Sequence, residues 1–102
     1  MRKCLGLLSS VLLLFLVLPP PGFAGPTETA CVRSDRSPGR EVCACAQALA
    51  DRLLSPGDQR QAAKIIADPD LFQIIAKRKN VAAKAFIDRY KTWGELTQKN
   101  CR

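Results

Sequence analysis

Four cysteines, Cys31, Cys43, Cys45 and Cys101, are spread through the last three quarters of a 102-residue chain. No other feature so narrows what the chain can become. Their meaning depends on the compartment, and the N-terminus speaks to that. It reads MRKCLGLLSSVLLLFLVLPPPGFAG. Arg2 and Lys3 precede an apolar run from Leu5 to Leu18, which Pro19, Pro20 and Pro21 then stop. Gly22 and Ala24 put small residues at the −3 and −1 positions of a cut after Ala24. This is the layout of a secretory signal peptide. The apolar run is shorter than the roughly 20 residues a spanning helix needs. The expectation is a signal over residues 1–24 that is removed on export, leaving a secreted or periplasmic protein of residues 25–102.

Cys4 departs with that signal, and an even number of cysteines remains. In a short exported chain this pattern reads as two disulfides. Cross-links matter at this size, because a single small core alone gives marginal stability. Losing Arg2 and Lys3 lowers the formal net charge from +7 to +5. The retained protein is therefore basic, which favours acidic partners or anionic surfaces.

Ala, Leu, Ile, Lys, Arg, Gln and Asp dominate residues 41–102, and no alternating strand pattern occurs. The predicted fold is all-α: a small bundle of three to four short helices stapled by two disulfides. Residues 25–40, GPTETACVRSDRSPGR, lack apolar periodicity and are predicted to be an irregular leader pinned by Cys31. Residues 41–102 are predicted to form the helical domain.

Its first helix is predicted from about Glu41 to Leu54. Val42, Ala46, Leu49, Ala50, Leu53 and Leu54 make one apolar stripe, with Gln47, Asp51 and Arg52 on the other side. Ser55-Pro56-Gly57-Asp58 supplies an N-cap, a proline for the first helical position and an acid for the positive helix end. The second helix follows over Pro56 to Ala67. Asp68-Pro69-Asp70 repeats that punctuation and opens a third helix carrying Leu71, Phe72, Ile74 and Ile75. Asn80 is read as its left-handed end, although fusion with the next helix remains open. A fourth helix is predicted from about Val81 to Thr97, with Gly94 as a candidate break.

Cys43 and Cys45 head the first helix. Two helical steps set their side chains about 160° apart in projection, on opposite flanks of the apolar stripe. A bond between them is disfavoured, since a disulfide needs a narrow Cβ separation. One sulfur can then reach Cys31 and the other Cys101. The reading leans to 31–43 with 45–101, and leaves the other assignment open.

Other uses of these cysteines are weighed and set second. A thiol-disulfide redox helper would place its thiolate at a helix N-terminus, as here, but Cys31 and Cys101 are available as permanent mates. Four-thiolate metal binding lacks paired Cys-X-X-Cys knuckles. The chain has no histidine, which removes His-zinc sites and Ser/His/Asp or Cys/His catalysis. Asp68 and Asp70 bracket a proline at a helix start, so capping accounts for them without an acid–base pair. No catalytic, cofactor-binding or metal-ligating residues are assigned, and no cofactor is implied.

Lys77, Arg78, Lys79 and Lys84 form the densest positive patch and the candidate anion- or partner-binding face, with Arg89 and Lys91 further along. Phe72, Phe86, Tyr90 and Trp93 fall at helical spacing and are assigned to the core. No nucleic-acid motif occurs. The expected function is non-enzymatic: a small exported helical module that binds another protein, an acidic one by charge. The alternative is a cationic membrane-active peptide.

Overall fold

A computed structural model describes residues 24–102. The segment read as a signal, apart from Ala24, lies outside the described residues. Five helices follow in order: α1 Pro26–Arg33, α2 Arg40–Leu53, α3 Pro56–Ala67, α4 Asp70–Ala76 and α5 Val81–Asn100. The described residues contain no strand. Disulfides join Cys31 to Cys43 and Cys45 to Cys101. The protein is an all-α, disulfide-stapled bundle.

The helix boundaries follow local chemistry. At α2 the preceding Gly39 has φ 105° and ψ 162°, a region open essentially to glycine alone. At α3 the Ser55 hydroxyl oxygen accepts the Asp58 N–H at 3.1 Å and Pro56 takes the first helical position. The Asp68 carboxylate accepts the Asp70 N–H at 3.3 Å, and α4 begins at Asp70 with Pro69 just outside it.

Four expectations are corrected here. Asn80 does not end α4 in a left-handed conformation. Its backbone is extended, and its side-chain oxygen accepts the Ala83 N–H at 2.7 Å, so it is the N-cap of α5. That cap also separates α4 from α5. Gly94 does not break α5, whose 20 residues continue to Asn100. The supposed leader is not irregular throughout, because Pro26–Arg33 is helical. Pro26 fits the first turn, Glu28 sits near the positive end and Arg33 near the negative end.

The fourth correction has a tertiary cause. Gln47 does not lie on a solvent face. It is buried, and its side chain ties three helices together. Its Oε1 accepts the Thr27 hydroxyl at 2.6 Å and the Glu28 N–H at 2.9 Å. It thereby caps α1 from outside, where Gly25 has no side chain to do so. Its Nε2 donates to Asp51 Oδ1 at 2.9 Å and to Gln59 Oε1 at 2.7 Å. Gln59 in turn donates to the Asp51 carboxylate and to the Ala50 and Leu54 carbonyls. The buried amides are satisfied, which such a network requires. With the Cys31–Cys43 bond, it holds a short helix that buries only Thr27.

The core has two linked parts. Ala46, Ala50, Leu54, Ala62 and Trp93 join α2, α3 and α5. Ile65, Ile75, Ala83, Phe86 and Ile87 join α3, α4 and α5. Tyr90 packs against both. Alanines at α2 and α3 let the backbones approach, and the aromatics of α5 fill the space between.

Candidate functional site

The cation patch begins with a helix too short to bury all its apolar residues. In α4, Ile75 is buried and Leu71 and Phe72 pack against α5. Ile74 is the next position round the helix, and it is 53% exposed. The chain then leaves α4. The Lys77 N–H closes the last turn on the Gln73 carbonyl and the Arg78 N–H reaches the Ile75 carbonyl, each at 3.1 Å. Lys79 follows, and Asn80 starts α5. Val81 is the first residue of α5 and is 85% exposed. Lys84 stands less than one turn further on.

The corner between α4 and α5 therefore carries Lys77, Arg78, Lys79 and Lys84, all exposed, together with the exposed aliphatic side chains of Ile74 and Val81. None of the four cations joins a salt bridge among the described residues. The α4 C-terminus adds partial negative charge that such cations offset, but it gives no reason for two exposed aliphatic side chains. Those two residues were not singled out as surface features in the sequence. Ile74 reads as part of an apolar face, and only the packing of α4 shows that the face is wider than its partner.

Arg89 does not belong to this patch. Its Nε and Nη2 donate to the two Asp58 carboxylate oxygens at 2.7 and 3.1 Å, joining α5 to α3. That hydrogen bond, more than the accompanying charge attraction, raises the Arg89 pKa. Asp58 was expected to serve the start of α3; its backbone N–H does so, while its carboxylate serves Arg89.

The cysteine pairing matches the leaning from helical geometry. The Cys43 and Cys45 sulfurs are bonded to separate partners, and Cys43 is fully buried. Among the described residues no three His, Cys, Asp or Glu side chains cluster as metal ligands would. Phe72, Phe86 and Trp93 cluster around the Tyr90 ring. Ring centroids lie 5.8 Å apart for Phe72–Tyr90, 5.9 Å for Phe86–Tyr90 and 5.5 Å for Tyr90–Trp93. The Trp93 indole N–H donates to the Ala46 carbonyl at 2.9 Å.

Fold and corner together define a small, cross-linked, all-helical protein with a mixed cationic and apolar surface patch. Two disulfides fit an oxidising environment, extracellular or periplasmic. No described helix is long and apolar enough to cross a membrane. No protein-family model, curated protein or solved structure matches the chain.

Proposed function

We propose that this is an exported, non-enzymatic binding module that docks an acidic protein through the α4–α5 corner. The observation that carries the proposal is the exposure of Ile74 and Val81 amid Lys77, Arg78, Lys79 and Lys84. Charge of one sign speeds encounter with the opposite sign. Apolar side chains at the centre of such a patch supply contact area that excludes water. Residues 1–24 would act as the export signal.

The test is a crosslinking capture from the protein's own extracellular or envelope fraction. Wild type and a Lys77→Glu/Lys79→Glu variant are compared, with Ile74→Ser as a charge-neutral probe. The expected result is an acidic partner recovered by wild type, released by salt and lost from both variants. Capture that ignores the corner substitutions, or finds nothing above background, rejects the proposal. Corner-dependent binding to anionic vesicles without any protein partner would replace it with a membrane-surface role.

A further inference from the structure

Most cations of the described residues stand on helices. Two links between helices also carry them: Arg36 between α1 and α2, and Lys77-Arg78-Lys79 between α4 and α5. The second link is exposed at every residue from Lys77 to Asn80. The Lys79 N–H and the carbonyls of Arg78 and Lys79 make no hydrogen bond among the described residues. Asn80 already has an extended backbone, with φ −118° and ψ 156°, and Val81 beyond it is 85% exposed. An extended segment with free backbone groups is what another protein pairs with when it binds a peptide as an added strand. On the upstream side, α4 has seven residues and buries only Ile75. Opening its last turn breaks the bonds from the Lys77 N–H to Gln73 and from the Arg78 N–H to Ile75. A short helix with so little buried surface opens locally at small cost. Exposed links of this kind are where chains are preferentially nicked.

The link at Arg36 resists being drawn out in this way. The Cys31–Cys43 bond holds its two flanks with Cα atoms 5.6 Å apart. Inside it, the Ser37 N–H donates to the Ser34 carbonyl at 3.2 Å and the Gly39 N–H to the Ser37 hydroxyl at 3.3 Å. The α4–α5 link is clamped by nothing so close. It lies instead within the long loop closed by Cys45–Cys101. A chain broken there stays in one piece, because the part before the break remains bonded to α5 through that disulfide. Helix α5 is held independently by the buried side chains of Phe86, Ile87 and Trp93 and by Arg89 on Asp58.

We infer that the α4–α5 link is a processing site, hydrolysed after a basic residue by a protease whose primary pocket is acidic, to give two chains joined by Cys45–Cys101. The bond best presented is Lys79–Asn80, between the residue with the free N–H and the residue already extended. Water adds across that amide. The C–N bond breaks, the Lys79 carbonyl carbon keeps the water oxygen as a carboxylate, and the Asn80 nitrogen takes both hydrogens and becomes an ammonium. The cut frees the end of α4 from α5 without releasing either chain. It does not rest on the docking role proposed for the corner, because a protease needs the link only transiently; a docked partner would cover it.

The test follows the full chain after export, collected from its own compartment directly into acid and weighed by mass spectrometry before and after reduction. The expected result is an unreduced protein heavier than the uncut form by one water. Reduction then releases a peptide that contains Cys101 and begins at Asn80, or at Arg78 or Lys79 if the neighbouring bond is cut. Lys77→Gln/Arg78→Gln/Lys79→Gln removes the basic side chains, which are exposed and form no salt bridge among the described residues. It is expected to keep its helical circular dichroism and to release no such peptide. Dilute trypsin on the purified, oxidised protein gives a second reading. Its first cut is expected after Lys77, Arg78 or Lys79, roughly tenfold faster than after Arg36, because cleavage follows the population of the locally opened chain. Exported wild type that is intact at this link overturns the inference. So does equal cutting of the folded glutamine variant, or a first tryptic cut at Arg36 or within a helix.

Discussion

Gln47 occupies one position on α2 and serves three helices. Its carbonyl oxygen takes two donors from the first turn of α1, and its amide gives to Asp51 and Gln59. Gly25 is tied to the same feature: a Cβ there would fall inside van der Waals contact of the Gln47 side chain. Replacing Gln47 by Leu keeps bulk but leaves the Thr27 hydroxyl and Glu28 N–H without their acceptor. The expected loss is about 2–3 kcal/mol, from donors buried without partners. Urea unfolding should show a lower midpoint at unchanged slope, and an unchanged midpoint would remove the network from the account of stability. Tyr90 gives a second handle. Burial disfavours its phenolate and raises its pKa above the ordinary value near 10. The folded state then holds its proton at pH values where the unfolded chain has released it. Stability from this source is whole below the ordinary pKa and falls as pH rises through it toward the folded value. Unfolding free energy measured above pH ~10 should decline less steeply in Tyr90→Phe than in wild type.

At the scale of elements, two boundaries were legible because a side chain acts on its own backbone in a way that suits only a helix start. Ser55-Pro56 and Asp68-Pro69-Asp70 are such places, and α3 and α4 start there or one residue beyond. Asn80 was read with the wrong sense, as an end rather than a beginning, because asparagine suits both roles. What decides is the extended backbone that lets its side chain reach the Ala83 N–H. Asn80→Ala is expected to destabilise the protein by about 1 kcal/mol. Amide exchange should speed up in the first turn of α5, at Ala83 above all, and protection equal to wild type there would contradict the assigned cap. Helix α1 was missed for a different reason. It has no apolar stripe to detect, and its weak signature is Pro26, Glu28 and Arg33 placed with the helix dipole. Its stability comes from Gln47, some twenty residues away, and from the Cys31–Cys43 bond.

Across the whole molecule, two bonds of different span hold the bundle. Cys31–Cys43 has a sequence separation of 12, and Cys45–Cys101 one of 56. In the chain-entropy model the longer loop contributes about 4 kcal/mol and the shorter about 3 kcal/mol. Removing the longer one as Cys45→Ser/Cys101→Ser should lower unfolding free energy by about 4 kcal/mol, a large part of what a small domain has. The shorter one fastens α1 alone, so Cys31→Ser/Cys43→Ser should free that helix while the α2–α5 core persists. Thermal unfolding followed by circular dichroism separates the two cases. Equal melting of both variants and wild type would show that the cross-links are not what sustains the fold.

The chain's own pattern determined the class of fold and placed the helices of residues 41–102 to within a few residues, with the division between α4 and α5 left open, and it disfavoured a bond between Cys43 and Cys45. Helical period, caps and the fixed angle between neighbouring side chains are local properties, and local properties can be read along a line. Tertiary structure alone decided that Gln47 faces inward, that Arg89 leaves the cation patch for Asp58, and that Ile74 and Val81 stand exposed beside it. It also decided that α1 packs onto α2 and α3. Each of these depends on how wide one helix face is compared with the surface it meets. That comparison exists only once the helices have been brought together.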